Sequence, residues 1–377
     1  MHKNHRLFLV LIGSFLAQIV QVGVFPLLLA QKLNEMGVSL PTIGWVVGSQ
    51  WLAVLIIALF IPRFMSKVSL EMFNRLSSAM TLVGLLLIST NQLILVILSA
   101  PFLGAGLIQR WVACDVLVVR LSPKDKMGRM IGIHEALMGF AIAAGPLTFA
   151  WFNLDQVLFA TIFIAVISTW LFFLIGKNKY IDETEDTPLL RADFLLIQIA
   201  LIAALAGGFI ETAAVAFFPF YFEENGFPLM ESALFVASFG LGGTLLQLPL
   251  GFVADKVGYR LAQLIASLIA LTSLSLTAIY GTSFPVIIAV LFLLGGAVGA
   301  FNTLAVLQAG KQVSTKKSAA AMAAIAFSYT LGGILGPVVS AWTLEHFSQN
   351  AVIYAYAAII CILLCVIIGN GIRRAKL

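Results

Sequence analysis

Two ionisable residues sit where a charge is costly. Arg110 lies inside the apolar run 93–119 and Glu211 inside the apolar run 194–222. A charged group in the middle of a lipid-spanning helix costs several kcal/mol, so it faces a partner or a wet cavity. Arg110 stands ten residues before Arg120, about 15 Å from that end of its helix at the α-helical rise. Glu211 stands twelve residues before Glu223 and also lies deep. A guanidinium is a permanent cation whose planar fork holds an anionic or zwitterionic substrate group. A carboxyl at that depth is suited to binding and releasing a proton in each cycle. The other reading is a static pair, Arg110 with Glu211 or Asp115, that only ties helices together.

Neutral polar residues gather at the same level. Ser14, Gln18, Gln21 and Phe25 follow i, i+4, i+7, i+11 spacing and share one helix face. Gln18-Ile-Val-Gln-Val-Gly-Val-Phe-Pro26 aligns without gaps on Glu211-Thr-Ala-Ala-Val-Ala-Phe-Phe-Pro219, which makes Gln18 the repeat counterpart of Glu211. Asn302 falls near the repeat counterpart of Arg110. The expected binding set is therefore Arg110, Gln18, Gln21 and Asn302, with Glu211 as the proton-coupling group. The amides hydrogen-bond either a substrate or each other across helices. Phe217, Phe218, Phe220 and Tyr221 are expected to contact lipid or other helices rather than stack on a ligand. His134 and Glu135 are expected in interface or loop contacts, with a proton relay as the other possibility.

The elements that carry these residues are twelve apolar runs, near 7–29, 42–62, 74–90, 93–119, 130–152, 156–176, 194–222, 231–253, 260–281, 285–309, 318–342 and 350–372. A hydrocarbon layer about 30 Å thick needs roughly 20 apolar residues in a helix, and lipid leaves the backbone few other ways to be satisfied. Hydrophobic residues make up 61% of the 377 and charged residues 10%. The mean hydropathy is +1.04. These values exclude an ordinary soluble domain.

Apart from Lys32 and Arg110, the 22 Lys and Arg residues lie in alternate gaps: Lys3, Arg6; Arg63, Lys67, Arg75; Arg120, Lys124, Lys126, Arg129; Lys177, Lys179, Arg191; Lys256, Arg260; Lys311, Lys316, Lys317; and Arg373, Arg374, Lys376. The other gaps hold Lys32 with Glu35, Asp155, Glu223, Glu224, Glu231 and Glu345. The positive-inside rule then puts both termini in the cytoplasm. The net charge of +5 reflects these loops, not a nucleic-acid surface. The first run follows MHKNHR as a signal sequence would, but its length and lack of a small-residue cleavage pattern make it the first span.

Gly145-Pro146 recurs as Gly336-Pro337, and Lys67-Val68 as Lys256-Val257. Two related six-helix halves follow, 1–176 and 194–377, joined by a cytoplasmic linker at 177–193 that carries Asp182, Glu183, Glu185 and Asp186.

Gly251-Phe-Val-Ala-Asp255-Lys256-Val-Gly258-Tyr-Arg260 lies between the eighth and ninth runs. It resembles the loop motif G-x-x-x-D-x-x-G-x-R of the major facilitator superfamily of secondary transporters. The stretch from Gly208-Phe-Ile-Glu211 through Phe218-Pro219 to Gln247-Leu-Pro249-Leu-Gly251 resembles the YcaD-like branch of that superfamily. The resemblance covers the whole chain. It implies an all-α polytopic membrane protein with the superfamily's fold, twelve transmembrane helices in two pseudo-symmetric six-helix bundles. It also implies that the first, fourth, seventh and tenth spans line a central cavity, so that Arg110 and Glu211 would face it.

The N-terminal copy of the motif is eroded, with Pro62 for the first Gly, Ser66 for the Asp and Ser69 for the second Gly. Asp255, Lys256 and Arg260 are expected to latch a gate, since a carboxylate at a helix end can hold an Arg or a helix N-terminus. Asp115 is expected to act as a similar latch or to pair with Arg120 or Arg129. Gly145-Pro146 resembles the core of an antiporter motif, with Ala141, Phe149 and Ala150 in place of three of its glycines. Gly and Pro kink a helix and allow close packing whatever the direction of transport.

No phosphate-binding G-x-x-x-x-G-K-[ST] loop is present, Gly104-Ala-Gly106 reads as helix packing, and no ligand-spaced metal cluster appears. Cys114, Cys361 and Cys365 read as apolar packing. The expected protein is no enzyme and needs no cofactor or metal. It is a monomer in the bacterial inner membrane that moves a small organic molecule by alternating access, coupled to protons. Export by antiport is placed ahead of uptake by symport, and a non-transporting receptor or lipid-handling protein is the alternative.

Overall fold

The computed structural model describes residues 3–61, 68–123, 127–175, 189–281, 283–314 and 317–375. Among them every regular element is a helix, and twelve helices are long and apolar enough to cross a membrane. Contacts divide the chain into two compact units, Met1–Glu183 and Thr184–Leu377. The division falls inside the segment 177–193. The residues from Pro62 to Lys67, the acidic cluster Asp182 to Asp186, and Lys124, Lys126, Lys177, Lys179, Lys316 and Lys376 lie outside the described residues.

In the first unit, span 1 is built from α1 (Lys3–Gln18), a π-helical segment (Ile19–Val24) and α2 (Phe25–Glu35). Then come α3 (Leu40–Ala58), α4 (Leu70–Ile88), α5 (Leu93–Leu121), α6 (Met127–Trp151) and α7 (Leu154–Leu174). Local sequence sets several starts. The Ser69 hydroxyl accepts from Met72 N at the head of α4. Asn153 and Gln156 form a reciprocal capping box at the head of α7, at 2.9 and 3.1 Å. Helix α5 packs on α3 and α4, and α1 packs on α5, α6 and α7. Phe159, Phe163, Val166, Trp170 and Phe173 are exposed at helical spacing along α7. In a spanning helix such an apolar face belongs to lipid.

The second unit contains α8 (Arg191–Leu196), α9 (Gln198–Glu224), α10 (Leu229–Val257), α11 (Tyr259–Tyr280), α12 (Phe284–Gln312), α13 (Ser318–His346) and α14 (Ala351–Ala375). Helix α9 packs on α13 and α12, α10 on α12, and α11 on α12 and α14. Phe217, Phe218, Phe220 and Tyr221 are all buried. Phe218 meets Phe222, Phe239 and Tyr356 at centroid distances of 5.8, 6.1 and 5.7 Å. Of the two expectations for these rings, helix contact is the one observed.

The end of the linker segment is tied to the second unit. Asp193 accepts from Leu190 N at the start of α8 and from Lys317 Nζ beside the head of α13, both at 2.7 Å. The Lys317 ammonium, with the Leu190 amide, holds the Asp193 carboxyl below the usual carboxylate range. A carboxyl whose folded value is depressed contributes stability above its unfolded value and loses it as pH falls through the folded one. Hydrogen exchange at α8 is therefore expected to accelerate as pH falls below about 4, after correction for intrinsic rates. Asp193→Asn is expected to be fast at neutral pH and to show no such step. Equal protection in both proteins at neutral pH would contradict the tie.

Candidate functional site

Arg110 projects from α5 and is 2% exposed. Its Nε donates to Gln21 Oε1 at 2.7 Å and its Nη1 to Ser14 Oγ at 2.9 Å. Nη2 donates to Gln18 Oε1, and Nη1 also lies 3.6 Å from Met138 Sδ on α6. The predicted face of span 1 is thus assembled around the guanidinium. Every one of these acceptors is neutral. Asp115 lies within electrostatic reach of Arg110, but among the described residues no carboxylate hydrogen-bonds the guanidinium.

Local sequence explains how span 1 presents its amides. Pro26 has no N–H to give to the preceding turn. Phe25 N–H bonds Val20 O, the longer π-type closure, so the Gln21 carbonyl is left without its usual α-helical partner. Gln50 Nε2 on α3 fills that role at 2.7 Å. Gln21 Nε2 is held by Thr81 Oγ1 on α4, also at 2.7 Å, so its Oε1 points at Arg110. At the same level Gly23 and Gly145 touch so closely that a Cβ on either would strike the other helix. Close packing of α6 on the π segment therefore accounts for Gly145 of the Gly-Pro pair.

In the second unit, Glu211 on α9 is half-buried and accepts a hydrogen bond from the Tyr329 hydroxyl on α13. Asn302 is half-buried on α12, where α12 lies against Gly207 of α9. Nothing in the sequence marked Tyr329. It became legible only once α9 and α13 were known to pack together.

The loop motif is built differently from a closed latch of its own residues. Asp255 Oδ1 lies 3.6 Å from Lys311 Nζ, with both side chains largely exposed. Arg260 Nη2 donates to the Ile367 carbonyl of α14 at 2.5 Å. Gly258, with φ of +88°, makes the turn between α10 and α11. Lys256 is exposed. Asp115 on α5 meets His134 on α6, Oδ1 to Nε2 at 3.1 Å. His134 is 2% exposed and so makes a helix-interface contact.

One buried ion pair carries no clear mark in the sequence. Glu71, fully buried at the head of α4, accepts from Arg6 Nη2 at 2.8 Å. Arg6 lies among the basic residues at this end of the helices, and the sequence signal is an acidic residue in the first turn of α4 at the same basic end. Removing one partner of a buried pair strands the other charge at a cost of about 3–5 kcal/mol. Glu71→Ala is therefore expected to lower the midpoint of thermal unfolding by many degrees, read by tryptophan fluorescence in detergent. A midpoint unchanged from the native protein would remove the pair from the account. Among the described residues no group of three or more His, Cys, Asp or Glu is placed to hold a metal. Cys114 is buried and Cys361 and Cys365 are exposed on α14.

The model of the Major Facilitator Superfamily matches residues 7–265 and 199–371. The chain is 26% identical over 261 residues to the uncharacterized MFS-type transporter YfkF of Bacillus subtilis (strain 168), covering 67% of this chain and 66% of YfkF, just under two thirds of that relative. It is 21% identical over 272 residues to the MFS-type transporter YcaD of Escherichia fergusonii, covering 71% and 70%. A match to YcaD of Shigella flexneri serotype 5b is 25% identical and covers 52% of this chain and 50% of YcaD. The fold matches the crystal structure of the nucleoside transporter NupG in its D323A form with a TM-score of 0.81 at 14% identity, over 97% of this chain and 99% of that one. At that identity the likeness speaks for the fold alone. The chain belongs to the major facilitator superfamily and is similar to its YcaD-like branch, and among the described residues it has the twelve helices long and apolar enough to cross a membrane.

Proposed function

We propose that this protein is a proton-coupled secondary transporter of a small organic anion or zwitterion, with Arg110 as the anion-binding group and Glu211 as a proton carrier. The observation that carries the reading is the buried Arg110 guanidinium, whose hydrogen-bonded acceptors are all neutral. A buried cation without a bonded counter-ion favours an anionic guest. Gln18 and Gln21 hold the fork in place for the guest. Glu211, with the Tyr329 hydroxyl as its donor, supplies a carboxyl that exchanges a proton. Asp255, Lys256, Arg260 and Asp115 govern gating at the basic ends of the helices. The protein works as a monomer in the inner membrane with both termini in the cytoplasm, and its two halves move to alternate access.

The direction of coupling depends on how proton and anion affect each other. Mutual exclusion gives export by antiport, and mutual support gives uptake by symport. The test of the site is calorimetric. Short mono- and dicarboxylates are titrated into purified protein beside their uncharged amides. The acids are expected to bind and the amides to fail, whereas equal binding of an acid and its amide would sink the anion reading.

A further inference from the structure

We propose that the pair formed by buried His134 and half-exposed Asp115 is a second proton-binding site, and that its proton and the anion at Arg110 support each other's binding. The inference rests on the reading of Arg110 as an anion site and decides its direction, since co-binding of proton and anion makes the protein a symporter.

Helix α6 carries His134 and Met138 one turn apart. Met138 Sδ touches both Arg110 Nη1 and Ser14 Oγ at 3.6 Å. His134 Nε2 touches Asp115 Oδ1 at 3.1 Å, and Asp115 follows Arg110 by five residues on α5. The α5–α6 seam therefore stacks the guanidinium and the imidazole about one helical turn apart along both helices. An ionised carboxylate only accepts hydrogen bonds, so Nε2 carries the hydrogen and Nδ1 is left as a bare lone pair. That Nδ1 is buried and has no hydrogen-bond partner among the described residues. A stranded buried acceptor is costly in a folded protein unless it has work to do. Protonation at Nδ1 gives an imidazolium that remains held by Asp115.

The charges around this pair fix the sign of the linkage. Helix α5 brings Arg110, Cys114, Asp115 and, at its end, Arg120. Helix α6 itself brings Arg129 and Glu135, and Glu135 is within electrostatic reach of both Asp115 and His134. From span 1, Ser14, Gln18 and Gln21 are uncharged, and His5 and Arg6 stand in its first turns. Asp155 of α7 follows the far end of α6, about 25 Å along the helix from His134. Of these, Arg110 is the permanent charge that an anionic guest would neutralise. With Arg110 empty its charge opposes a proton at His134, and with an anion seated that opposition is cancelled. By reciprocity a proton at His134 tightens the anion.

Nitrogen NMR of histidine-labelled full-length protein tests this without any transported compound. The chain has four histidines, and His134→Gln identifies the resonance. The native protein is expected to show Nε2–H with a bare Nδ1, and protonation at Nδ1 on acidification. Arg110→Gln mimics the neutralised site and is expected to move that titration to higher pH. Arg110→Lys, which keeps the charge, is expected to leave it in place, and Asp115→Asn to move it to lower pH. A titration identical in native, Arg110→Gln and Asp115→Asn proteins overturns the proposal, as does an Nδ1–H tautomer in the native state. If Arg110→Gln does not fold, the Asp115→Asn comparison decides alone. Because no arm uses an anion, failure here is distinct from failure of the anion reading, which falls only if acids and amides bind alike.

Discussion

Arg110→Gln protein is expected to bind organic anions two to three orders of magnitude more weakly than the native protein. Loss of one partner of a buried charge-assisted contact costs about 3–4 kcal/mol. Arg110→Lys restores the charge but not the fork and is expected to recover only part of the affinity. The host survives the change, because Ser14, Gln18 and Gln21 lose a donor but a glutamine at 110 can bond one of them, at a stability cost of about 1–3 kcal/mol. Calorimetry with acid and amide pairs separates the two effects. A general loss of fold weakens acid and amide alike, whereas loss of the cation removes the preference for the acid. An unchanged acid preference in Arg110→Gln would mean that Arg110 only ties span 1 to α5 and α6.

Glu211→Gln gives the second large effect. Glutamine keeps the shape and the capacity to accept from Tyr329, but it holds no exchangeable proton near neutrality. Anion binding and anion exchange between the two faces of a vesicle are expected to persist. The number of protons moved per anion is expected to fall by one. With one pH unit across the membrane each coupled proton is worth about 1.4 kcal/mol, so the steady-state accumulation drops about tenfold. Unchanged accumulation at the same gradient would make Glu211 a structural residue.

Much of the site in the first unit was legible because an intramembrane charge is rare and its neutral neighbours share one helical face. Ser14, Gln18 and Gln21 share that face by their spacing and converge on Arg110. Spacing alone gave no account of the π segment, because the change of helical period comes from Pro26 and from the Gln50 amide that satisfies the Gln21 carbonyl. Met138, Thr81 and Tyr329 were invisible for a different reason. Each belongs to a helix whose packing partner is fixed by tertiary contact, and neutral side chains in apolar runs carry no energetic flag. Glu71 was hidden by its position, since the end of a span is where a charged residue normally meets water. The superfamily motif was recognisable from Gly251 to Arg260, but its contacts to Lys311 and to the Ile367 carbonyl depend on α12 and α14, far away in sequence.

The most direct test of the central claim is proton flux into proteoliposomes that hold a pH-sensitive dye, challenged with each carboxylic acid and its amide under an imposed pH gradient. The account predicts a proton signal evoked by at least one acid and by no amide, lost in Arg110→Gln and reduced by one proton per anion in Glu211→Gln. An equal signal from the amides, or a full acid-evoked signal in Arg110→Gln, would contradict it.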